Sequence, residues 1–300
     1  MHHARRSKRG LLLSLLSLVA LVAAVTLSIS LPQHPSQAHA AGAGGASDGH
    51  GPPFHLFGPK QHYLALGDSL AFGFQPNCSA TLICTHGYVN DLFQVLQKEG
   101  TKDVTDLGCP GETSTTFIGG DICSYSPFSS QLTAAVAFLQ KNAGKVSPVT
   151  LDIGANDVLT TGNFDLSTCT VNVSGFNAAL DKLDTNLTRT ILPELLSALT
   201  VKGRARGSIV MMNYYDPFQN ICPKTVSYIQ TFNQHLANDV SGFGIIVDVF
   251  GAFSGPTTPN LNICTYTWMC TPPPLGPDIH PTDQGYSVIA NTFAAAIPPD

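Results

Sequence analysis

From residue 61 onward, short apolar runs alternate with longer segments whose apolar positions recur at helical spacing. Short runs rich in Val, Ile and Leu predict buried strands, and the longer amphipathic segments predict helices. The predicted strands are His62–Leu66, Val104–Leu107, Val149–Ile153, Ser208–Asn213 and Gly244–Val249. The predicted helices are Tyr88–Glu99, Ser130–Asn142, Ser174–Thr200, Thr225–Val240 and Thr282–Ala296. This alternation predicts an α/β fold with parallel strands, helices on both faces, and a ligand site beyond the carboxyl ends of the strands.

The first forty residues have the pattern of a secretory signal peptide. Four basic residues lie between positions 5 and 9, an uncharged apolar run covers 11–31, and the small-residue triplet Ala38-His39-Ala40 follows. We therefore expect export and cleavage after Ala40. A membrane anchor is the alternative, because the apolar run is long enough to cross a bilayer. Residues 41–60, rich in Gly, Pro and His, predict a flexible linker before a folded domain over 61–300.

Composition excludes several classes of protein. The chain is 43% hydrophobic and 12% charged, a balance that an intrinsically disordered protein does not have. Loss of residues 1–40 removes four basic and no acidic residues, which changes the formal net charge from −5 to −9. An acidic surface argues against nucleic acid and against anionic membranes as partners, but it is compatible with a neutral or apolar substrate.

The eight cysteines all follow the predicted cleavage point. An even number of cysteines in an exported chain predicts disulfides, although the pairing is not unique. Short loops favour three pairs and leave a fourth: Cys78–Cys84, Cys109–Cys123, Cys264–Cys270 and then Cys169–Cys222. No C-x-x-C pair occurs and no cysteine lies near a suitable histidine, so we expect no metal.

Polar residues of reactive type follow the predicted strands. The segment Gly67-Asp68-Ser69-Leu70 follows the first strand, where a serine hydroxyl at a strand-to-helix turn would lie near a helix N-terminus. His280, on a proline-flanked loop before the last helix, is a candidate general base. Each has an ordinary alternative, a turn or helix cap for the serine and a surface loop for the histidine.

Two further segments offer hydrogen-bond donors at the same edge. Gly111 lies in a Gly/Pro loop after the second strand, and its backbone amide is a candidate oxyanion donor. The segment Gly154-Ala155-Asn156-Asp157 follows the third strand, and the Asn156 amide suits the same task. Alone, these residues equally suit a disulfide-braced turn and a helix cap.

Taken together and in this order, the chain resembles the SGNH (GDSL-type) hydrolases over about residues 62–296, and most closely their secreted bacterial esterases and lipases. The motifs that carry the resemblance are Gly67-Asp68-Ser69-Leu70, Gly111, Gly154-Ala155-Asn156-Asp157 and His280. The resemblance implies a three-layer α/β/α sandwich with a flavodoxin-like five-stranded parallel sheet. It also implies that Ser69 is the nucleophile and His280 the base. The Ser69 amide, the Gly111 amide and the Asn156 side chain would hold the oxyanion, without a cofactor.

One position departs from the family pattern. The family has Asp three residues before the histidine, whereas this chain has Pro277 there and Asp278 two residues before His280. Either Asp278 orients the histidine, or the carbonyl of residue 277 does so and a serine–histidine dyad carries the reaction. Asp68 and Asp157 are interpreted as hydrogen-bond partners of their neighbours.

The leading hypothesis is a secreted carboxylic-ester hydrolase, expected as a monomer, that acts on small-molecule or lipid esters without an obligate protein partner. A carbohydrate O-acetylesterase and a non-catalytic binding module are the alternatives. Tyr214 and Tyr215 could line an acyl pocket or pack in the core, and Trp268 could border the substrate site or cover the core.

Overall fold

The computed structural model describes residues 56–78, 86–159 and 162–299. Its central sheet contains β1 His62–Gly67, β2 Asp103–Asp106, β3 Val146–Asp152, β4 Ile209–Met212 and β5 Ile245–Val247. All neighbouring strands are parallel, and their order is β2-β1-β3-β4-β5. This order is the flavodoxin-like one and confirms the predicted five-stranded parallel sheet.

Burial explains the order of the strands. Every residue of β3, in the middle of the sheet, is buried, as expected for a strand covered by helices on both faces. By contrast, β2 has the sequence Asp-Val-Thr-Asp, with exposed acids at both ends. Charged residues on an edge strand discourage pairing with another chain, so β2 suits its place at the edge.

Helices cover both faces of the sheet. They are α1 Ser69–Phe72, α2 Tyr88–Gln97, α3 Ser114–Gly119, α4 Gln131–Lys141, α5 Ala155–Leu159, α6 Val173–Asn186, α7 Leu192–Leu199, α8 Thr225–Val240, α9 Val249–Ala252, α10 Leu261–Tyr266 and α11 Asp283–Ala296. Helices α2 and α11 pack together on one face, where Tyr88 stacks on Phe293 at 5.1 Å between ring centroids. Helices α4, α6, α7 and α8 form the second layer, which completes the three-layer sandwich.

The predicted single helix Ser174–Thr200 is wrong in one detail. The helical chain continues through this region, but residues Leu187–Ile191 form a π-helical turn between α6 and α7. The Leu192 N–H donates to the carbonyl of Leu187, five residues back. Pro193 has no N–H for the carbonyl four residues before it, and its ring crowds that carbonyl, so the helix widens there.

Three of the four predicted disulfides are present, two that the short loops favour and the pair that was left over. They are Cys109–Cys123, Cys169–Cys222 and Cys264–Cys270. Cys84 lies outside the described residues, so the Cys78–Cys84 pair stays a prediction. The first disulfide links the segments on either side of α3, and the third links α10 to the short helical turn Trp268–Cys270.

The predicted signal peptide and residues 41–55 of the predicted linker lie outside the described residues. Residues 56–60 contact the domain: the Phe57 N–H donates to Ser208 Oγ at 2.6 Å, and the Lys60 N–H donates to the Ser147 carbonyl at 2.9 Å. These bonds attach the end of the predicted linker to the sheet. Within 56–78, 86–159 and 162–299, no helix is long and apolar enough to cross a membrane.

Candidate active site

Ser69 is placed by the sharp turn between β1 and α1. Gly67 ends β1 with a φ of 146°, and a side chain there would collide with the carbonyl and carboxyl of Asp152. The Gln131 side chain accepts from the Gly67 N–H at 2.6 Å and donates to its carbonyl at 2.9 Å. The turn is therefore fixed from two sides, and Ser69 becomes the first residue of a short helix.

The structure brings Ser69, His280 and Asp278 into one hydrogen-bonded row. His280 Nε2 lies 2.8 Å from Ser69 Oγ, although the two residues are 211 positions apart. On the other side of the ring, His280 Nδ1 lies 2.7 Å from Asp278 Oδ1. A carboxylate can only accept, so Nδ1 carries the hydrogen and Nε2 presents its lone pair to the serine.

Asp278 is suited to stay ionised. Partial burial pushes its pKa upward, but the hydrogen bonds from the ring and backbone N–H of His280 outweigh burial and hold the pKa below its ordinary value. The backbone bond from His280 N to Asp278 Oδ1 is 2.9 Å long. The same carboxylate therefore orients both the ring and the main chain of His280.

The loop that carries the histidine is held by backbone and aromatic contacts. The backbone N–H of Trp268 donates to the His280 carbonyl at 3.0 Å, and the backbone carbonyl of Trp268 accepts from the Asp278 N–H at 3.2 Å. The Tyr215 hydroxyl donates to the Ile279 carbonyl at 2.7 Å. The Phe74 ring lies 4.5 Å from the His280 ring. These contacts give the loop one position relative to Ser69.

Gly111 occupies a type II turn. Glu112 N–H donates to the Cys109 carbonyl at 3.0 Å, Pro110 is the second residue, and Gly111 is the third with a φ of 86°. This turn needs a positive φ at its third residue, which glycine supplies without strain. The Gly111 N–H is not used by the turn and has no partner within the described part of the chain.

Asn156 lies in α5, directly after the end of β3. Its Nδ2 donates to the Glu112 carbonyl at 3.0 Å, which ties the amide to the Gly111 turn. The neighbouring Asp157 accepts from the N–H and the hydroxyl of Ser114, at 2.8 and 2.6 Å. Burial raises the pKa of Asp157, and these bonds oppose the rise. Asp157 thus joins α5 to α3, as its interpretation as a hydrogen-bond partner requires.

Beneath Ser69 lies a pair of buried acids, Asp68 and Asp152. Asp68 Oδ1 accepts from the Leu70 N–H at 3.0 Å, and the Tyr214 hydroxyl donates to Oδ2 at 3.4 Å. Burial raises the pKa of Asp68 to about 6. Burial and then the nearby Asp68 carboxylate raise the pKa of Asp152 well above its ordinary range.

A cavity of about 290 Å³ opens beside Ser69 and His280. Ser69, Gly111, Asn156 and His280 all line it, so the structure places these sequence-predicted residues around one space. Its apolar walls are Leu70, Phe74, Pro110, Ala155, Val158, Leu159, Tyr214, Tyr215, Pro217, Ile229, Phe232 and Ile279. Across residues 56–78, 86–159 and 162–299, no group of three or more His, Cys, Asp or Glu side chains is arranged to hold a metal ion.

Comparison with known proteins identifies the family. The sequence profile of the GDSL-like Lipase/Acylhydrolase family matches residues 65–288, which is most of the chain. The chain belongs to this family. No curated protein sequence matches it significantly.

Solved structures share the GDSL-like fold at low identity. The lipase Lip_vut3 from a goat rumen metagenome is 17% identical, with a TM-score of 0.53 over 78% of this chain and 96% of that one. Axe2, an acetylxylan esterase from Geobacillus stearothermophilus, is also 17% identical, with a TM-score of 0.51 over 81% and 96%. At such identity the comparison shows a common fold.

Two acids of this GDSL-like site lie outside the four motifs that carry the family resemblance. At the departing position, the partner of His280 Nδ1 is the Asp278 carboxylate and not the carbonyl of Pro277. The second acid, Asp152, was missed by the sequence reasoning because it ends an apolar run that was interpreted only as a strand. An acid inside a predicted buried strand is itself an unusual signal that could have identified it. Trp268 holds the histidine loop and is not among the described residues that line the cavity.

Proposed function

We propose that this protein is a serine carboxylic-ester hydrolase that acts through an acyl-enzyme on Ser69. The observation that carries the proposal is the hydrogen-bonded row from Asp278 through His280 to Ser69, with distances of 2.7 and 2.8 Å. A serine hydroxyl is a weak nucleophile until an adjacent base takes its proton, and this row supplies a base with the required tautomer.

The proposed reaction follows from these positions. His280 Nε2 takes the proton of Ser69 Oγ as that oxygen attacks the ester carbonyl carbon. The resulting oxyanion accepts hydrogen bonds from the Ser69 and Gly111 N–H groups and from Asn156 Nδ2. When the C–O bond breaks, the leaving alcohol takes the proton from His280 Nε2. Water then attacks the acyl-enzyme, again with His280 as base, and releases the carboxylic acid and Ser69.

The cavity favours esters with an apolar acyl chain over acetyl esters. Its walls are almost entirely hydrocarbon and aromatic, and burial of each methylene stabilises binding by about 0.8 kcal/mol. A cavity of ~150 Å³ holds a six-carbon ring, so the 290 Å³ here suits acyl chains up to roughly ten carbons. The signal-peptide pattern of residues 1–40 and the three disulfides support secretion.

The test is hydrolysis of p-nitrophenyl esters from acetate to palmitate. We expect activity to peak at medium chains and Ser69→Ala to lower kcat by about 10⁴-fold or more. A matched control is Ser287→Ala, because Ser287 bonds Asp91 on the α2–α11 face, away from the cavity, and should leave the rate unchanged.

Three results would change the proposal. Activity on acetate alone would favour an O-acetylesterase and lead to assays on acetylated glycans. Full activity of Ser69→Ala would exclude Ser69 as the nucleophile. No activity on any ester, with the wild-type fold verified by its thermal transition, would favour the non-catalytic binding module.

A further inference from the structure

The N–H groups around the nucleophile have unequal partners. The Asp68 N–H donates to the Asp152 carbonyl and to its Oδ2, both at 3.1 Å. The Leu70 N–H donates to Asp68 Oδ1 at 3.0 Å, and the Ala71 N–H donates to Asp152 Oδ2 at 3.2 Å. Of these four consecutive N–H groups, only that of Ser69 has no acceptor among the described residues.

Asp152 is placed for this task by the sheet. It is the last residue of β3, pairs in register with Gly67 of β1, and is completely buried. The missing side chain of Gly67 lets the carboxyl lie directly against the turn. The second carboxyl oxygen, Oδ1, accepts from the Tyr88 hydroxyl at 2.5 Å. Burial of a carboxyl group is costly unless hydrogen-bond donors surround it. Here the donors are the Asp68 and Ala71 N–H groups of the turn and the Tyr88 hydroxyl.

We propose that Asp152 is a positioning residue that makes the Ser69 N–H available as an oxyanion donor. One carboxyl oxygen, Oδ2, holds the N–H groups of Asp68 and Ala71, on either side of the nucleophile. With Leu70 bonded to Asp68, the Ser69 N–H is left to face the cavity. This inference rests on the proposed ester hydrolysis and adds to it a residue that never touches the substrate.

The expected kinetic effect depends on the stage of the reaction at which the Ser69 N–H donates to the substrate oxygen. The oxyanion exists only in the transition state and the tetrahedral intermediate, so a misplaced Ser69 N–H weakens catalysis without weakening substrate binding. Loss of one oxyanion donor typically lowers kcat by about 10²–10³-fold. A general loss of structure would instead lower the fraction of active enzyme and the melting temperature.

The mutational test uses two substitutions and a matched control. Asp152→Ala should lower kcat about 10²-fold with KM nearly unchanged. Asp152→Asn should recover most of kcat, since its amide oxygen can accept from both N–H groups and its NH₂ can donate to the Tyr88 oxygen. Asp216→Ala is the control: this completely buried aspartate likewise accepts from backbone and hydroxyl donors, but its partners are the Phe218 N–H and the Thr225 hydroxyl. It should lower the melting temperature and leave kcat near that of the wild type.

These variants also define what would overturn the inference. A folded Asp152→Ala enzyme with the wild-type kcat would overturn it. So would a fall in kcat that Asp216→Ala matches at equal loss of stability. If Asp152→Ala does not fold, hydrogen exchange in the wild-type protein decides instead.

The exchange measurement needs no variant and no ester turnover. Residue-resolved NMR should find slow exchange for the amides of Asp68, Leu70 and Ala71 and fast exchange for Ser69. A phosphonate that reacts with Ser69 should then slow the Ser69 exchange, because the phosphonyl oxygen accepts from this N–H. A Ser69 amide that is as protected as its neighbours in the free enzyme overturns the inference. An exchange pattern as expected, in a protein without esterase activity, refutes only the proposed function.

Discussion

Within the described residues, two pairs of aspartates have side chains that lie close together, and the surroundings of the two pairs differ. Asp68 and Asp152, beneath Ser69, are bonded by three backbone N–H groups and by tyrosine hydroxyls. Asp184 of α6 and Asp239 of α8 lie at a helix interface, where donors are scarce because helical N–H groups are already used. The first pair therefore fixes the backbone of the turn that carries Ser69. The second pair, within the described residues, accepts a hydrogen bond from one side chain, His235.

Asp184 and Asp239, the pair between α6 and α8, have too few hydrogen-bond donors for two ionised carboxylates. His235 Nδ1 lies 2.8 Å from one oxygen of Asp184. The other Asp184 oxygen and Oδ2 of Asp239 have no donor within the described residues when both carboxyls are ionised. Burial, followed by the charge of Asp184, raises the pKa of Asp239 to about 7. Protonation of Asp239 removes its need for a donor, so we expect the pair to destabilise the fold once that proton is lost.

Among the aspartates, the largest expected effect comes from Asp278, which is partly exposed but accepts a hydrogen bond from the His280 ring. Asp278→Asn should lower kcat by about 10⁴-fold, because an amide at this position favours the wrong tautomer of His280. Steady-state kinetics on the preferred ester measures this loss. Asp283→Asn is the control and should keep the wild-type rate. Asp283 lies three residues after His280, but its carboxylate accepts from the Gln75 side chain and not from the His280 ring. A near-normal rate in Asp278→Asn would instead support a Ser69–His280 dyad.

A smaller effect, on stability, is expected when Asp68 beneath Ser69 is replaced. Asp68→Ala removes the N-cap of α1 and leaves the Leu70 N–H and the Tyr214 hydroxyl without their acceptor. Loss of such a cap typically lowers the free energy of unfolding by about 0.5–2 kcal/mol. Urea denaturation measures this loss. Asp68→Asn keeps the acceptor oxygen and should retain most of the stability; equal losses in both variants would contradict a capping role.

The smallest expected effect is a gain of stability at the pair between α6 and α8. The folded chain keeps the Asp239 proton up to about pH 7, whereas an unfolded aspartate releases it near pH ~4. The contribution of Asp239 to stability is thus largest below about pH 4, falls as the pH rises to about 7, and is constant above that. Asp239→Asn stays neutral, so its melting temperature should exceed that of the wild type by roughly 2–4 °C at about pH 8.

Melting temperatures of the wild type and of Asp239→Asn, measured across this pH range, test whether the stability difference rises with pH. The difference between variant and wild type should grow from about pH 4 to about pH 7 and stay constant above that, because over this range the unfolded wild-type group has lost its proton while the folded one keeps it. Asp181→Asn, at an exposed position on α6, should show no such change. A difference that is constant or shrinks with pH over this range contradicts the raised pKa of Asp239.

Sequence reasoning was most successful where the signal is local. Apolar periodicity predicted the five strands of the sheet and the long helices, because burial of one helix face or of a whole strand constrains each segment separately. It did not predict the π-helical turn at Leu187–Ile191, which depends on how Pro193 is accommodated within a continuing helix. Nor did it assign a role to Asp152, whose importance depends on the neighbouring strand and not on its own segment.

The sequence by itself determined the α/β alternation, the family motifs and the identities of Ser69, Gly111, Asn156 and His280 as candidates. Only the tertiary structure decided that Ser69 and His280, which are 211 positions apart, lie within 2.8 Å. It also decided that the Asp278 carboxylate, and not the carbonyl of residue 277, faces the ring. Hydrophobic patterning is a property of each segment, whereas a hydrogen-bond partner depends on which segments the packed sheet and loops bring together.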